Sequence, residues 1–216
     1  MFKAEADDDL PDGGYNVAPT DTIRIAVDQD ARPHLAAARW GLLPFWAAGT
    51  KQRAPGWINA RAETALDSPA FGPALRRRRC FIPVDAFYEW DRSVTPRQPF
   101  AIGAADDALL ALAGIWNPPS NSAWPSVAIL TTSPNELLSS IHTRMPVILP
   151  RDALSDWLAA DADIAELWPL LAPCDASSLR MWPVSSAVNR VGTDGPDLLR
   201  PVEIAPTLGL ADTRPD

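Results

Sequence analysis

The sequence predicts an α+β fold: a single domain on a curled, mixed or antiparallel, barrel-like β-sheet with short peripheral helices. Seven stretches of alternating apolar and polar residues are interrupted irregularly by short helical patterns, as in a sheet with helices packed around it. The 23 prolines are spread along the chain and favour short elements joined by rigid turns. A Rossmann fold is excluded, because the sequence has neither a regular alternation of strands and helices nor a glycine-rich phosphate loop.

Each predicted strand can cover one face of a sheet with its alternate apolar residues. In chain order these strands are 22–27, 37–43, 81–90, 109–116, 127–132, 146–149 and 179–184. The first helix, 68–77, begins at Ser68-Pro69, and the second runs from a capping box, Ser133-Pro134-Asn135-Glu136, to near Ile141. Two further helical patterns cover 151–159 and 163–171.

The 216 residues are enough for one domain with a full core, which we place at 15–204. We expect the acidic N-terminus, 1–14, to be poorly ordered and the tail, 205–216, to be disordered. The longest apolar run, 108–116, is too short to cross a bilayer, and the acidic start lacks the basic and apolar parts of a signal peptide. We therefore expect a cytoplasmic protein without a membrane partner.

Cysteine and histidine are too few and too scattered for a metal centre. Cys80 and Cys174 show no C-x-x-C spacing, and His34 and His142 lie far apart in the sequence. Neither a zinc cluster nor a disulfide scaffold is expected, and no cofactor is predicted. We interpret His34 as structural and Cys80, in an apolar strand, as a buried core thiol.

The charge is distributed unevenly along the chain. The formal net charge is −8, yet residues 39–97 carry ten Lys and Arg against five Asp and Glu, a local balance of +5. At physiological salt each charge acts over only about 8 Å. A polyanion can therefore be attracted to this segment of an acidic protein, and a nucleic-acid partner stays possible.

Three segments place polar groups where they could do chemistry. Asn59 and Arg61 share a face if 57–64 is a strand, although a solvated turn or edge strand would show the same residues. Glu89 lies between aromatic residues, where burial raises a carboxyl pKa toward the range useful for proton transfer; a structural pair with an arginine is the alternative. His142 lies on a connector between a helix and a strand, where functional and structural histidines both occur.

Aromatic and basic residues alternate after the second predicted strand. Trp40, Trp46 and a proline turn are followed by Lys51 and Arg53, a combination that stacks bases and neutralises phosphates in single-strand binding. Most of the tryptophans are expected to fill the core, and we choose Trp46 as the surface platform. The arginine run 76–79 is interpreted as a solvated helix end.

Six ordered blocks of the sequence together resemble a known family. They are Tyr15-Asn16-Val17-Ala18-Pro19-Thr20, Trp40-Gly41-Leu42-Leu43-Pro44-Phe45-Trp46, Asn59-Ala60-Arg61-Ala62-Glu63-Thr64, Arg79-Cys80-Phe81-Ile82-Pro83, Phe87-Tyr88-Glu89-Trp90 and Ile141-His142-Thr143-Arg144-Met145-Pro146. These blocks are similar to those of the SRAP family, the SOS response-associated peptidases or abasic-site processing proteins. The resemblance extends from Tyr15 to about Pro201.

The resemblance implies a β-rich α+β fold with a positively charged cleft for single-stranded DNA. Members of the family join an N-terminal cysteine to the ring-opened aldehyde of an abasic site as a thiazolidine. By motif, Asn59 would orient the sugar and the terminal amine, Glu89 would transfer protons, and His142 would assist opening of the deoxyribose ring. The positions that match the DNA channel are Asn16, Pro19, Trp46, Arg61, Thr131 and Arg144. The protein would be a monomer and would associate with the nucleoid when bound to DNA.

The start of the chain departs from the family pattern. Family members begin Met-Cys-Gly-Arg, whereas this sequence begins Met1-Phe2-Lys3. Neither Cys80 nor Cys174 carries a thiol and an α-amine on one residue. Three explanations stay open: a start assigned downstream of the true one or a trimmed chain; a paralogue that binds DNA without the stable link; and a Schiff base formed by the α-amine, whose reference pKa is roughly 7.7 to 8.

Two other functions compete with abasic-site processing. One is a thiol-type peptidase that acts on its own N-terminus, as the family's older name suggests. The other is a non-catalytic module that binds single-stranded DNA. Whether this chain is an enzyme therefore depends on what Asn59, Glu89 and His142 do together.

Overall fold

The computed structural model describes residues 5–8, 10–29, 32–44, 56–119 and 125–204. Within them the chain forms a single α+β domain with eleven strands and five short α-helices, which confirms the predicted fold class. The strands are β1 Glu5–Ala6, β2 Thr22–Gln29, β3 Arg32–Trp40, β4 Asn59–Arg61, β5 Arg79–Val84, β6 Ala86–Asp91, β7 Gln98–Ala104, β8 Leu110–Asn117, β9 Ser126–Thr132, β10 Met145–Pro146 and β11 Leu179–Pro183. The α-helices are α1 Ala62–Ala65, α2 Gly72–Arg77, α3 Glu136–Ser139, α4 Leu154–Leu158 and α5 Ile164–Leu167, and 3-10 turns cover Arg151–Ala153, Trp168–Leu171, Ala176–Ser178, Ser186–Asn189 and Pro196–Leu199.

The larger sheet curls until it closes on itself. Its hydrogen-bonded order includes β3, β2, β5, β8 and β9, and β9 also pairs with β3 in parallel, with Trp40 opposite Val127. β1 extends the sheet beside β3, while β4 and β10 add to the far end of β9. The predicted barrel-like curl is therefore confirmed, and β9 is the strand on which the site region is assembled.

The central strands β2, β5, β8 and β9 of this sheet have buried residues on both faces. Ala26, Phe81 and Leu130 pack into one core beneath α4 and α5, while their neighbours Ile82 and Ile129 pack into a second core that β7 shares. Successive side chains of a strand point to opposite faces, so strands that serve two cores read as almost continuous apolar runs. This explains the unbroken apolar character of β8.

A second sheet, ordered β11, β7, β6, lies beside the first. The single predicted strand 81–90 is wrong, because the chain changes sheets at the exposed Asp85. Residues before this bend pair with β8 and residues after it pair with β7. Apolar residues stand on both sides of Asp85, since both halves face cores, and a single polar residue within an alternating strand does not by itself reveal the bend.

Helix starts also differ from prediction. The capping box is wrong: Asn135, and not Ser133, caps α3, with its Oδ1 accepting a hydrogen bond from the Leu138 amide at 3.1 Å. The predicted helix 68–77 begins only at Gly72, because Ser68 instead closes a turn by accepting from the Gly72 amide at 2.7 Å. The patterns at 151–159 and 163–171 each divide between a 3-10 turn and a short α-helix.

The arginine run 76–79 is only partly a solvated helix end. Arg76 and Arg77 are exposed, but Arg79 is buried. Its guanidinium donates to the carbonyls of Trp157 at 2.7 Å, Arg76 at 2.8 Å and Leu75 at 3.1 Å, and also to that of Ala159. Arg79 thus satisfies carbonyls at the ends of α2 and α4, which are unpaired within each helix. The prediction of a solvated run is wrong for this residue.

Two glycines bring the segment before β4 against the end of β3 in the closed sheet. Gly41 has a φ of +137°, a conformation that favours glycine, and a Cβ on Gly56 would lie 2.1 Å from the Gly41 carbonyl oxygen. This close approach allows Leu42 to pair with Trp57, after which the chain enters β4 beside β9. In the part of the chain that the structure describes, no helix is long and apolar enough to span a membrane.

Candidate functional site

Glu89 and His142, 53 positions apart in the sequence, meet in space. Glu89 lies two residues after Phe87 on β6, so both side chains point to the face that covers the second core. His142 follows α3, where its amide donates to the Leu138 carbonyl at 2.9 Å. Nδ1 of His142 lies 3.5 Å from Oε1 of Glu89, and the two side chains are only 19% and 20% exposed. The fold thus forms a carboxyl–imidazole pair.

The backbone of Arg144 holds the His142 ring in place. Nδ1 lies 2.8 Å from the Arg144 carbonyl oxygen and 3.3 Å from the Arg144 amide nitrogen. The carbonyl can only accept a hydrogen bond and the amide can only donate one, so Nδ1 has a backbone partner in either tautomer. These contacts fix the ring beside the Glu89 carboxyl.

Burial raises the pKa of the Glu89 carboxyl above its ordinary value. The positive charges of His142 and Arg92 and a hydrogen bond from the Trp90 backbone oppose this rise without cancelling it. A carboxyl whose pKa moves toward neutrality can both accept and donate a proton. The pair is therefore suited to proton transfer. The side chain in contact with Glu89 is His142, and the arginine expected in the structural alternative is represented only by the charge of Arg92.

Asn59 lies on β4, opposite Ile129 of β9, and its side chain is exposed. Among the described residues, no hydrogen bond joins it to Glu89 or His142. The contact at 3.5 Å thus joins Glu89 and His142, two of the three predicted catalytic side chains. The segment around Asn59 is a short strand that passes directly into α1.

Arg144 forms an ion pair with Glu63. Its Nη1 and Nη2 donate to the two carboxylate oxygens at 2.7 and 2.8 Å, and Nη2 also donates to the Thr131 carbonyl at 2.6 Å. Thr131 lies between Arg61 of β4 and Pro146 of β10. Three predicted DNA-contact positions, Arg61, Thr131 and Arg144, are therefore neighbours across the end of β9.

The remaining predicted DNA contacts have different surroundings. Asn16 donates from its amide nitrogen to the carbonyls of Val188 at 3.1 Å, Arg190 at 3.3 Å and Thr193 at 3.1 Å. This side chain fixes the N-terminal segment to the 3-10 turn near residue 188. Pro19 is exposed. Trp46, Lys51 and Arg53 lie outside the described residues.

A cavity of about 440 Å³ opens between the two sheets. Phe87 and Tyr88, the residues before Glu89, line it together with Trp40, Ile129 and the N-terminal segment near Tyr15. The Tyr88 hydroxyl donates to the Tyr15 carbonyl at 2.8 Å, and burial together with the charge of Asp194 raises the pKa of Tyr88 to about 12. Tyr88 therefore stays protonated and holds the N-terminal segment against β6.

Sequence reasoning missed Glu63 and Arg92, which act on the candidate site through Arg144 and Glu89. Glu63 stands within the block 59–64, two residues after Arg61, and a carboxylate at this place could have indicated a role in the site. Its partner Arg144, however, is 81 positions away in the sequence. Arg92 follows β6 closely and acts on Glu89 by its charge. The sequence shows directly that Arg92 is close to Glu89, whereas it gives no sign that Glu63 contacts Arg144.

Cys80 and His34 lie in structural environments. Cys80 is fully buried, and burial raises the pKa of its thiol, so the prediction of a core thiol is confirmed. His34 contacts Asp7 at 2.7 Å, consistent with the structural role assigned to it. Within the described ranges, no cluster of three or more His, Cys, Asp or Glu side chains is arranged to hold a metal ion.

Comparison with known proteins gives consistent matches. The sequence model of the family described as SOS response associated peptidase (SRAP) matches residues 1–191. Abasic site processing protein YoqW of Bacillus subtilis is 40% identical over 202 residues, which are 88% of each chain. Abasic site processing protein YedK of Escherichia coli is 32% identical over 199 residues, 90% of this chain and 87% of that one.

Solved structures agree with the fold. A crystal structure of a Bordetella bronchiseptica protein has a TM-score of 0.69 at 29% identity and covers 85% of this chain and 92% of its own. A crystal structure of a Bacteroides thetaiotaomicron protein has a TM-score of 0.77 at 24% identity and covers 85% of this chain and 82% of its own. The matched length, the identities and the six sequence blocks lead to one conclusion: this chain belongs to the SRAP family of SOS response associated peptidases.

Proposed function

We propose that this protein binds single-stranded DNA at an abasic site and processes the opened sugar, with Glu89 and His142 transferring the protons. The observation that carries the proposal is the 3.5 Å contact between Glu89 and the His142 ring, with both side chains about four-fifths buried. Relatives that cover most of this chain are named abasic site processing proteins, which supports the same assignment.

The opening of an abasic sugar is a reaction that such a pair can accelerate. Its closed ring opens when the C1 hydroxyl loses a proton, the bond from C1 to the ring oxygen breaks, and that oxygen gains a proton. In our proposal the Glu89 carboxylate takes the first proton and the His142 ring gives the second. Positioned acid–base groups of this kind accelerate a reaction by about 10² to 10⁴-fold. The aldehyde so formed is open to attack by an amine or a thiol.

The DNA strand would lie across the end of β9. Arg61 is exposed there, and Thr131 and Arg144 are its neighbours. Guanidinium groups bind phosphates strongly, and single strands are held largely by such contacts. A strand placed here passes the connector that carries His142, since Arg144 is only two residues further along.

A thiol-type peptidase is less well supported by the described cysteines. Burial raises the pKa of both the Cys80 and the Cys174 thiols, whereas a nucleophilic cysteine needs a lowered pKa. Mass spectrometry of the purified chain tests this alternative. Removal of N-terminal residues beyond methionine would favour it.

The test of the proposed function is a time course with a labelled single-stranded oligonucleotide that contains one abasic site. We expect the protein to convert this strand to an adduct or a cleaved product on a denaturing gel. The same oligonucleotide with uracil in place of the abasic site should stay unchanged. If the abasic strand disappears no faster than in buffer alone, the proposed function is wrong.

A further inference from the structure

Glu63 binds the guanidinium of Arg144 in the way that a phosphate would. Both carboxylate oxygens accept hydrogen bonds from Arg144, one from each terminal nitrogen, at 2.7 and 2.8 Å. Guanidinium groups bind carboxylates and phosphates with the same paired geometry. One group therefore cannot hold both anions in this manner at the same time, and any phosphate that reaches Arg144 competes with Glu63.

The pair is open on the side of the carboxylate. The Glu63 side chain is 48% exposed, against 24% for Arg144, so an anion from solvent meets the carboxylate first. The guanidinium itself stays anchored on its inner side, where Nη2 donates to the Thr131 carbonyl at 2.6 Å. Loss of Glu63 would leave Arg144 held in place with its charge unpaired.

Arg144 is not fully satisfied in this arrangement. Its Nε is buried and has no hydrogen-bond partner among the described residues. Buried donors are nearly always paired in folded proteins, so the position seen beside Glu63 leaves a bond unmade. The bond to Glu63 therefore does not satisfy every donor of Arg144. The charge of Arg61 also acts on the Glu63 carboxylate, which places Glu63 between two predicted DNA contacts.

We propose that Glu63 is an internal competitor for the DNA phosphate: it neutralises Arg144 in the free protein, and a backbone phosphate displaces it when a strand binds. This inference rests on the proposed function, because it takes single-stranded DNA as the ligand. Its consequence is that Glu63 weakens binding to DNA in general. A strand binds well only when enough contacts form together to displace the carboxylate.

The test compares Glu63→Gln with Asp67→Asn, which removes the same charge from a nearby exposed residue that forms no ion pair with any residue the structure describes. The probe is a single-stranded oligonucleotide with a tetrahydrofuran abasic-site analogue, which cannot open and so separates binding from chemistry. Affinity is measured by fluorescence anisotropy over a series of salt concentrations. We expect Glu63→Gln to bind about tenfold more tightly than wild type, with a salt dependence steeper by about one phosphate contact. Asp67→Asn should change both quantities much less.

Two further variants keep the test decisive. Glu63→Asp keeps the charge but shortens the side chain, so it should bind more tightly than wild type and more weakly than Glu63→Gln. In an Arg144→Gln background, the gain from Glu63→Gln should disappear. Equal affinities for Glu63→Gln and Asp67→Asn would overturn the inference and leave the proposed function intact. If Glu63→Gln does not fold, the inference is overturned when Glu63→Asp binds with the affinity of the wild type. If the wild-type protein binds no single-stranded DNA at any salt concentration, the proposed function is itself wrong.

Discussion

The Glu89 carboxyl combines a proposed role in proton transfer with a cost to stability. Burial raises its pKa in the folded protein, while in the unfolded chain the value is about 4.3. Below the unfolded value the carboxyl is protonated in both states and has no effect on stability. As pH rises through the pKa that Glu89 has in the folded protein, the buried carboxyl must lose its proton, and the protein becomes less stable.

Glu89→Gln should therefore be more stable than wild type at neutral pH. A gain on the order of 1 kcal/mol corresponds to a rise in Tm of about 2–4 °C for a domain of this size. Thermal unfolding between about pH 4 and pH 7 checks this, and the difference should vanish at the acid end. Glu203→Gln, at an exposed residue, is the control and should show no pH-dependent difference. A Glu89→Gln variant that is less stable than wild type at neutral pH would contradict the account.

The short helix α3 positions His142, and its cap can be tested separately. Asn135 caps α3 and also donates to the Cys174 carbonyl at 3.2 Å, while Asp163 caps the distant α5 with a bond of 2.9 Å from Ala165. Asn135→Ala and Asp163→Ala should each lose about 1 kcal/mol of stability, Asn135→Ala the more because it is buried. Only Asn135→Ala should slow abasic-strand conversion, because His142 follows the helix it caps. Equal rates for the two variants would show that the cap does not position the histidine.

Elements with strong alternation were predictable from the sequence, and elements defined by long-range pairing were not. The predicted strands 22–27, 127–132 and 179–184 lie within β2, β9 and β11 or overlap them closely. β7 was missed because Pro99 and Gly103 disguise a strand that tertiary pairing nevertheless holds. The break at Asp85 was missed because both sides of it face cores.

The candidate site shows the same limit. Glu89 and His142 were identified from their neighbours and from the family resemblance, yet only the fold brings them to 3.5 Å. The ion pair of Arg144 and Glu63 spans 81 positions, and no local pattern predicts it. The DNA-contact roles of Asn16, Pro19, Trp46, Arg61, Thr131 and Arg144 stay predictions.

The distribution of charge over the molecule differs from the count along the sequence. Residues 39–97 have a balance of +5, but Arg79 is buried and Arg78 is tied to Asn117 at 2.8 Å. Exposed arginines in the described part of this segment are Arg61, Arg76, Arg77, Arg92 and Arg97. In the proposed function, attraction of a DNA strand would therefore depend on a few exposed charges, and the chemistry on the Glu89–His142 pair.

The most direct measurement of this account is the rate at which Glu89→Gln and His142→Gln convert an abasic single strand, compared with wild type. Binding of the tetrahydrofuran analogue is measured in parallel. Each variant should bind the analogue as wild type does but react about 100-fold or more slowly. Wild-type rates in both variants would contradict it, as would a loss of rate that merely follows a loss of binding.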